Sequence, residues 1–276
     1  MVGRRRGVFL AAALAVKLAA FCGCSGAIAQ EQPNGTPICG GDVIARGVAK
    51  HVIDGRTFAL DDGREVRLAA IEVPPFETGA APAAAARAAL DALIGGDDIV
   101  LRRADISTDR YGRLVAYAYA VRDGEELFAQ GELIASGFAR VSDHVGGHAC
   151  ASELLKSENA ARAAKLGLWA SPYYDLLSAD HPTDVLAEQG HFALVEGKVL
   201  SVRESGATIY VNFGRRWTED FTVTILKRNE RNFTAAGFEP KKLAGRQIRV
   251  RGWIEERGGP WIDATRPEQI EFTDRE

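Results

Sequence analysis

Three short stretches decide the reading of this chain: Asp54-Gly55-Arg56-Thr57, then Arg67-Leu68-Ala69-Ala70-Ile71-Glu72-Val73-Pro74-Pro75, then Thr108-Asp109-Arg110-Tyr111-Gly112-Arg113. Around them the pattern is that of short strands and packed helices. Val48–His51, Thr57–Leu60 and Glu65–Ile71 alternate or run apolar like strands, with the hairpin signal Asp61-Asp62-Gly63 between the last two. Pro82–Leu93 has helical spacing and ends at Gly95-Gly96. Asp98–Arg102 and Leu114–Val121 read as strands, Tyr111-Gly112 as a tight turn, and Asp123-Gly124 as another. Glu126–Ser136 reads as a helix stopped by Gly137. Ser152–Lys165 reads as a second, with Ser152 as N-cap and Gly167 as C-terminal signal. Strands followed by helices in this order suit a small barrel with helices packed on it.

Taken together, the three stretches resemble the signature of the staphylococcal-nuclease (thermonuclease) family. The resemblance runs over about residues 49–169 and includes Lys165-Leu166-Gly167-Leu168-Trp169, similar to the family's last helix and closing tryptophan. It implies a nuclease-type OB-fold barrel with three helices. In members that cleave nucleic acid, two arginines grip the scissile phosphate, carboxylates hold one calcium ion, and a glutamate serves the attacking water. Arg67 and Arg113 match the two arginines, and Tyr111 accompanies them. Guanidinium forks suit this work because the transition state gains negative charge. The alternative for both is a structural ion pair with nearby acids.

The acids depart from the pattern. The family's Asp-Gly-Asp-Thr reads Asp54-Gly55-Arg56-Thr57, so Arg56 replaces a calcium ligand. Glu72 takes the place of an aspartate ligand and Pro75 that of the catalytic glutamate. Asp54 and Glu72 are the metal-ligand candidates that remain, and Asp54 plays a supporting part in the family. Glu77, two residues beyond Pro75, is the acid that could reach back. A hard cation wants several charged oxygens. A guanidinium in place of one repels the ion rather than merely weakening its site. Arg56 therefore fits a metal-free site in which Arg56, Arg67 and Arg113 face one anion. No cofactor is then required; calcium is needed if the protein is active. His144 and His148 stand i, i+4 in a glycine-rich stretch that reads as a solvated loop.

A second unit follows residues 178–190, which read as a linker. Phe192–Val202, Thr208–Phe213 and Phe221–Ile225 read as strands, Lys227–Ala236 as a helix, and Gln247–Glu255 and Trp261–Thr265 as strands. That order suits a second, smaller OB-like β-barrel over residues 191–272, giving a mainly β protein with packed helices (α+β). In Gln247–Ile254, Ile248, Val250, Gly252 and Ile254 share one face; Arg249, Arg251 and Trp253 share the other. A basic, aromatic face suits ligand binding, extended by Tyr210, Arg215, Arg216 and Trp217. The alternative is a solvated face or one packed on the first unit.

Residues 1–29 read as a secretory signal peptide: Arg4, Arg5 and Arg6, the apolar run Val8–Phe21, and Ala27-Ile28-Ala29 as cleavage site. The run is short for a membrane span and Lys17 interrupts it, so no stable span is expected in the mature chain. A lipoprotein reading through Cys24 is the weaker alternative. Export makes the protein periplasmic or secreted, with residues 30–47 a polar leader and residues 48–177 the nuclease-like domain. Cys39 and Cys150 then remain, and an oxidising compartment points to one disulfide between them; two separate thiols are the alternative. Residues 190–276 hold 15 Lys and Arg against 13 acids, whereas residues 30–189 hold 15 against 24. The first domain thus has no long-range attraction for a polyanion, and any basic groove in it is local.

Three functions fit. The first is an exported thermonuclease-like protein that binds nucleic acid or another phosphate-bearing ligand, with little turnover. The second is an active phosphodiesterase rebuilt around Glu72 and Glu77. The third is a non-catalytic scaffold with a protein partner in the cell envelope.

Overall fold

The computed structural model describes residues 37–75 and 80–273. The expected signal peptide and Glu77 lie outside them. In the first half, strands β1 (Val43–Asp54), β2 (Thr57–Leu60), β3 (Glu65–Leu68) and β4 (Ile71–Glu72) precede helix α1 (Ala80–Ile94). Strands β5 (Asp98–Thr108), β6 (Leu114–Arg122) and β7 (Glu125–Phe128) lead to helix α2 (Ala129–Ala135), strand β8 (Arg140–Val141) and helix α3 (His148–Ala163). The main sheet runs β3-β2-β1-β5-β6-β7, and a parallel β3–β6 pairing closes it into a ring. Inside, Val52, Phe58, Leu60, Val66, Leu68, Leu101 and Ala118 form the core, capped by Leu90 and Ile94 of α1 and Leu133 of α2.

Three local differences from the sequence reading stand out. Residues 125–128 are strand rather than helix, because Asp123 and Gly124 both adopt positive φ (52° and 86°). Such a turn matches the twist of a hairpin and folds β7 back on β6, pairing Arg122 with Glu125 and Tyr119 with Phe128. Helix α3 starts at His148, four residues before the expected N-cap, so His148 lies in the helix and Ser152 inside its first turns. Strand β1 likewise begins within the expected leader. Cys39, also in that leader, is buried and bonded to Cys150 of α3, a disulfide spanning 111 residues of sequence.

In the second half, residues 178–190 are not a free connector. Strand β9 (Leu177–Ser178) pairs in parallel with Val195 and Glu196, and helix α4 (Pro182–Ala187) buries Val185. Strands β10 (Phe192–Lys198), β11 (Ser201–Ser205), β12 (Thr208–Asn212) and β13 (Thr222–Leu226) lead to helix α5 (Lys227–Ala235). Strands β14 (Gln247–Trp253), β15 (Glu255–Arg257), β16 (Gly259–Asp263) and β17 (Ile270–Phe272) complete the chain. They form a four-stranded sheet, β17-β14-β10-β9, and a five-stranded sheet, β11-β12-β13-β16-β15. Val195, Ile209, Val211, Val223, Ile225, Val250 and Ile262 make their shared core.

The two halves pack together. Leu168, Trp169 and Tyr174 from the end of the first bury against Phe192 and Leu194 of β10. A buried ion-pair cluster crosses the same junction. Arg251 donates to both carboxylate oxygens of Glu158 (3.0 and 2.9 Å), to Glu271 Oε1 (2.6 Å) and to the Val141 carbonyl (3.0 Å). Arg249 pairs with Glu196 (3.1 Å) and with Glu271 (3.8 Å). Arg249 and Arg251, expected to meet a ligand, are therefore spent elsewhere: Arg251 bonds the first half through Glu158 and Val141, and Arg249 pairs within the second half. The alternation along β14 does turn them away from their own core, but α3 covers that face. Among the described residues, no helix is long and apolar enough to cross a membrane.

Candidate functional site

The turn between β1 and β2 starts the site. Asp54 Oδ1 accepts the Arg56 backbone N–H at 2.8 Å, a local cap that fixes the turn. Gly55 is required there, since a Cβ on it would lie 2.7 Å from the Ala86 Cβ of α1. The turn aims Arg56 at Glu72, and the two side chains form an ion pair. Arg67, on β3, reaches the other oxygen of the same carboxylate at 3.5 Å. Between β3 and β4 the chain bends at Ala70, whose φ of 65° is a left-handed conformation costly for a residue with a Cβ. The Ala70 carbonyl accepts Ser142 N–H (2.9 Å), and the Ala116 carbonyl accepts Ala69 N–H (2.9 Å). This bend puts Glu72 beside Arg67 rather than further along a straight strand.

The Thr108–Arg113 stretch builds the opposite wall. Asp109 Oδ1 accepts the backbone N–H of Tyr111 (2.9 Å) and Arg113 (3.1 Å), while its Oδ2 pairs with the Arg113 guanidinium at 2.7 Å. Burial works against the Asp109 charge, but the bonds from Arg113 and Tyr111 win and hold the carboxyl below its usual range. Tyr111 is exposed. Arg110 and Arg113 lie over its ring at 4.8 and 5.0 Å, and Arg110 donates to its hydroxyl at 2.6 Å.

The electrostatics follow from crowding. Burial lowers the Arg67 guanidinium, with Arg56 and Arg113 adding like-charge repulsion; it stays charged at neutral pH. Burial pushes the Glu72 carboxyl up, against the pull of Arg56 and Arg67. Two cations, Arg56 and Arg67, thus share one buried acid, Glu72, while Arg113 is paired with Asp109. Arg67, Glu72, Asp109 and Arg110 line a cleft of about 590 Å³.

Sequence reasoning missed the far side of this cleft. Asp143 and His144 line it, their side chains 3.0 Å apart. The hydrogen bond to Asp143 raises His144 above the ordinary histidine value. Tyr117 lines it too, accepting Gly146 N–H at 2.9 Å. Asp143 and His144 come from a stretch remote in sequence from the arginines, and Tyr117 from β6. Trp253 also lines the cleft and is partly exposed, so of the face shared by Arg249, Arg251 and Trp253 it alone reaches the site.

Residues 65–171 match the family model for staphylococcal nuclease homologues. The chain carries a staphylococcal nuclease-like domain. The match includes Arg67, Glu72, Asp109 and Arg113 and begins after Asp54 and Arg56. No curated protein matches the chain.

Calcium is the ion this family implies, and the residues of this nuclease-like domain do not fit it. Asp54 is turned to its own turn amide, and Glu72 is engaged by two guanidinium groups. A cation at Glu72 would have to displace Arg56 and then face Arg67, an arrangement Coulomb repulsion opposes. Among the described residues, no group of three His, Cys, Asp or Glu side chains is placed to hold a metal.

Proposed function

We propose that this is an exported thermonuclease-like protein that binds nucleic acid or another phosphate-bearing ligand through Arg67 and Arg113. Calcium-dependent phosphodiester hydrolysis is weak or absent. The family match supports the nucleic-acid part of this reading. The observation that carries the rest is the ion pair between Arg56 and Glu72, with Arg67 at 3.5 Å from the same carboxylate. An organic cation takes the role that a metal would have. Arg67 lines the cleft, and bidentate guanidinium contacts suit a phosphate. Pro75 offers no carboxylate to activate water, and loss of a general base typically costs about 10²–10⁴ in rate.

The second half fits an OB-like unit. Its pairings β10–β14, β11–β12–β13 and parallel β13–β16 have counterparts in the first ring, although its strands lie in two sheets rather than one. Export is supported by the Cys39–Cys150 disulfide, since such bonds persist in oxidising compartments. A mature chain beginning at Gln30 in the periplasmic or secreted fraction, read by mass spectrometry, is the expected result; an uncut cytosolic chain would contradict it.

Binding is tested by titrating labelled single-stranded DNA and RNA into the purified protein and its Arg67→Ala/Arg113→Ala variant. Loss of two charge-assisted contacts, each worth about 1.5–3 kcal/mol, weakens binding at this site by well over tenfold without loss of fold. An unchanged affinity would remove the arginines from the ligand's path.

A further inference from the structure

A large groove lies on the second half, away from the arginine site. It measures about 1010 Å³ and runs over the outer face of the β11-β12-β13-β16-β15 sheet. Register explains its character. Val202, Ile209, Val211, Val223, Ile225 and Ile262 turn inward to the core. The alternate positions turn outward, where Arg203 pairs across strands with Tyr210, and Asn212 with Thr222, which in turn stands beside Trp261. The five-stranded sheet therefore presents polar and aromatic side chains to the groove.

Three observations point to a ligand. Trp217 is 68% exposed at the groove edge, a large ring left in water. Arg203 and Arg215 line the groove, are exposed, and form no ion pair among the described residues. The acid lining it, Glu204, is already held by Lys227 (2.9 Å) and Lys241 (3.2 Å). On the groove floor, Thr222 is 1% exposed and its hydroxyl has no hydrogen-bond partner among the described residues. A buried hydroxyl is normally satisfied, and this one borders the space where a ligand would lie. The floor ring, Trp261, is fixed by its N–H to Asp263 (2.9 Å) and by the edge of Tyr210 (5.9 Å between centroids).

We propose that this groove is a second binding site, independent of Arg67 and Arg113, and that its ligand is single-stranded nucleic acid. Trp217 stacks on a base, and Arg203 and Arg215 meet the backbone phosphates. The unpaired Thr222 hydroxyl and the Asn212 amide take the polar edge of a base or sugar. A free aromatic face beside uncompensated guanidinium groups suits a chain that alternates rings and negative charges. A neutral glycan would use the ring but leave both cations unmatched.

The test uses the purified protein and a short fluorescein-labelled oligothymidylate. Trp217→Ala is expected to weaken binding about tenfold, the loss of one base stack. Because Trp217 is exposed, its melting temperature stays that of the parent. Arg203→Ala/Arg215→Ala is expected to reduce the slope of log affinity against log salt by about 1.4, two phosphate contacts on a single strand. Both decrements persist when introduced into the Arg67→Ala/Arg113→Ala background. Unchanged affinity and slope in both variants overturn the proposal. So does complete loss of binding in the Arg67→Ala/Arg113→Ala variant alone, which would leave the arginine site standing and this groove without a role. Binding of a neutral chitooligosaccharide that quenches Trp217 and is not displaced by the oligonucleotide would reassign the groove to glycans and also overturn it.

Discussion

Replacing Glu158 by alanine should damage this protein more than any change in its functional site. Glu158 and Arg251 have no solvent exposure at all in their side chains. The carboxylate takes two bonds from the Arg251 guanidinium and a third from the Val141 backbone N–H at 2.6 Å. Burial opposes the Arg251 charge, yet Glu158 and Glu271 hold the guanidinium above its usual range. Glu158→Ala leaves that charge buried with Glu271 and one carbonyl, and strips Val141 N–H of its acceptor. Breaking a buried pair from one side costs about 3–5 kcal/mol. For a unit of this size each kcal/mol shifts the melting temperature by about 2–4 °C, so a fall of roughly 6–20 °C is expected in scanning calorimetry. The paired change Glu158→Leu/Arg251→Met should recover part of it, because the buried guanidinium is removed while Glu271 keeps only Arg249 at 3.8 Å and Asn159. A loss below about 1 kcal/mol for Glu158→Ala, or a double variant as unstable as the single, would refute the reasoning.

Glu271 gives the pH dependence. Burial disfavours its charge but Arg251 prevails, so its carboxyl sits below the ordinary 4.5. Its stabilising contribution is complete above pH 4.5 and is lost as pH falls through the lower, folded value. Urea midpoints measured across that range should fall less steeply in Glu271→Gln than in the parent. Replacing Cys39 and Cys150 by serine should cost about 4 kcal/mol in the same urea experiment, through release of a long unfolded-state loop; no loss would mean the closed loop is not a constraint. Arg56→Asp with Pro75→Glu should create calcium-dependent, chelator-sensitive cleavage of single-stranded DNA. No gain would show that the groove has diverged along with the ligands.

The parts of the fold that are local in sequence were legible. Turn dipeptides such as Asp61-Asp62-Gly63 and Asp123-Gly124, and the alternation of Thr57–Leu60 and Leu114–Val121, sufficed to place strands. The Thr108–Arg113 motif carries its own geometry, since Asp109 caps the turn that positions Arg113. The family resemblance also pointed to Arg56, Arg67 and Glu72, whose side chains the fold brings together. Apart from the Cys39–Cys150 bond, what failed was set by partners far along the chain. Alternation showed that Arg249 and Arg251 leave their own core but not that Glu158, 93 residues earlier, waits for Arg251. Asp143 and His144 meet the cleft through the Glu72–Arg140 strand pairing, which no short pattern encodes. The start of α3 was missed because Ser152 looked like an N-cap, whereas Gly147, at φ 90°, allows the helix to begin at His148.

The account rests on Arg56 standing where a metal would act. Cleavage of single-stranded DNA and RNA by the purified protein, with calcium and with chelator, beside the Arg67→Ala/Arg113→Ala variant, tests it most directly. Binding without cleavage, indifferent to calcium and weakened at the arginine site in the variant, is the expected result. Chelator-sensitive cleavage that disappears in the variant would contradict it and make this a working nuclease with a rebuilt metal site.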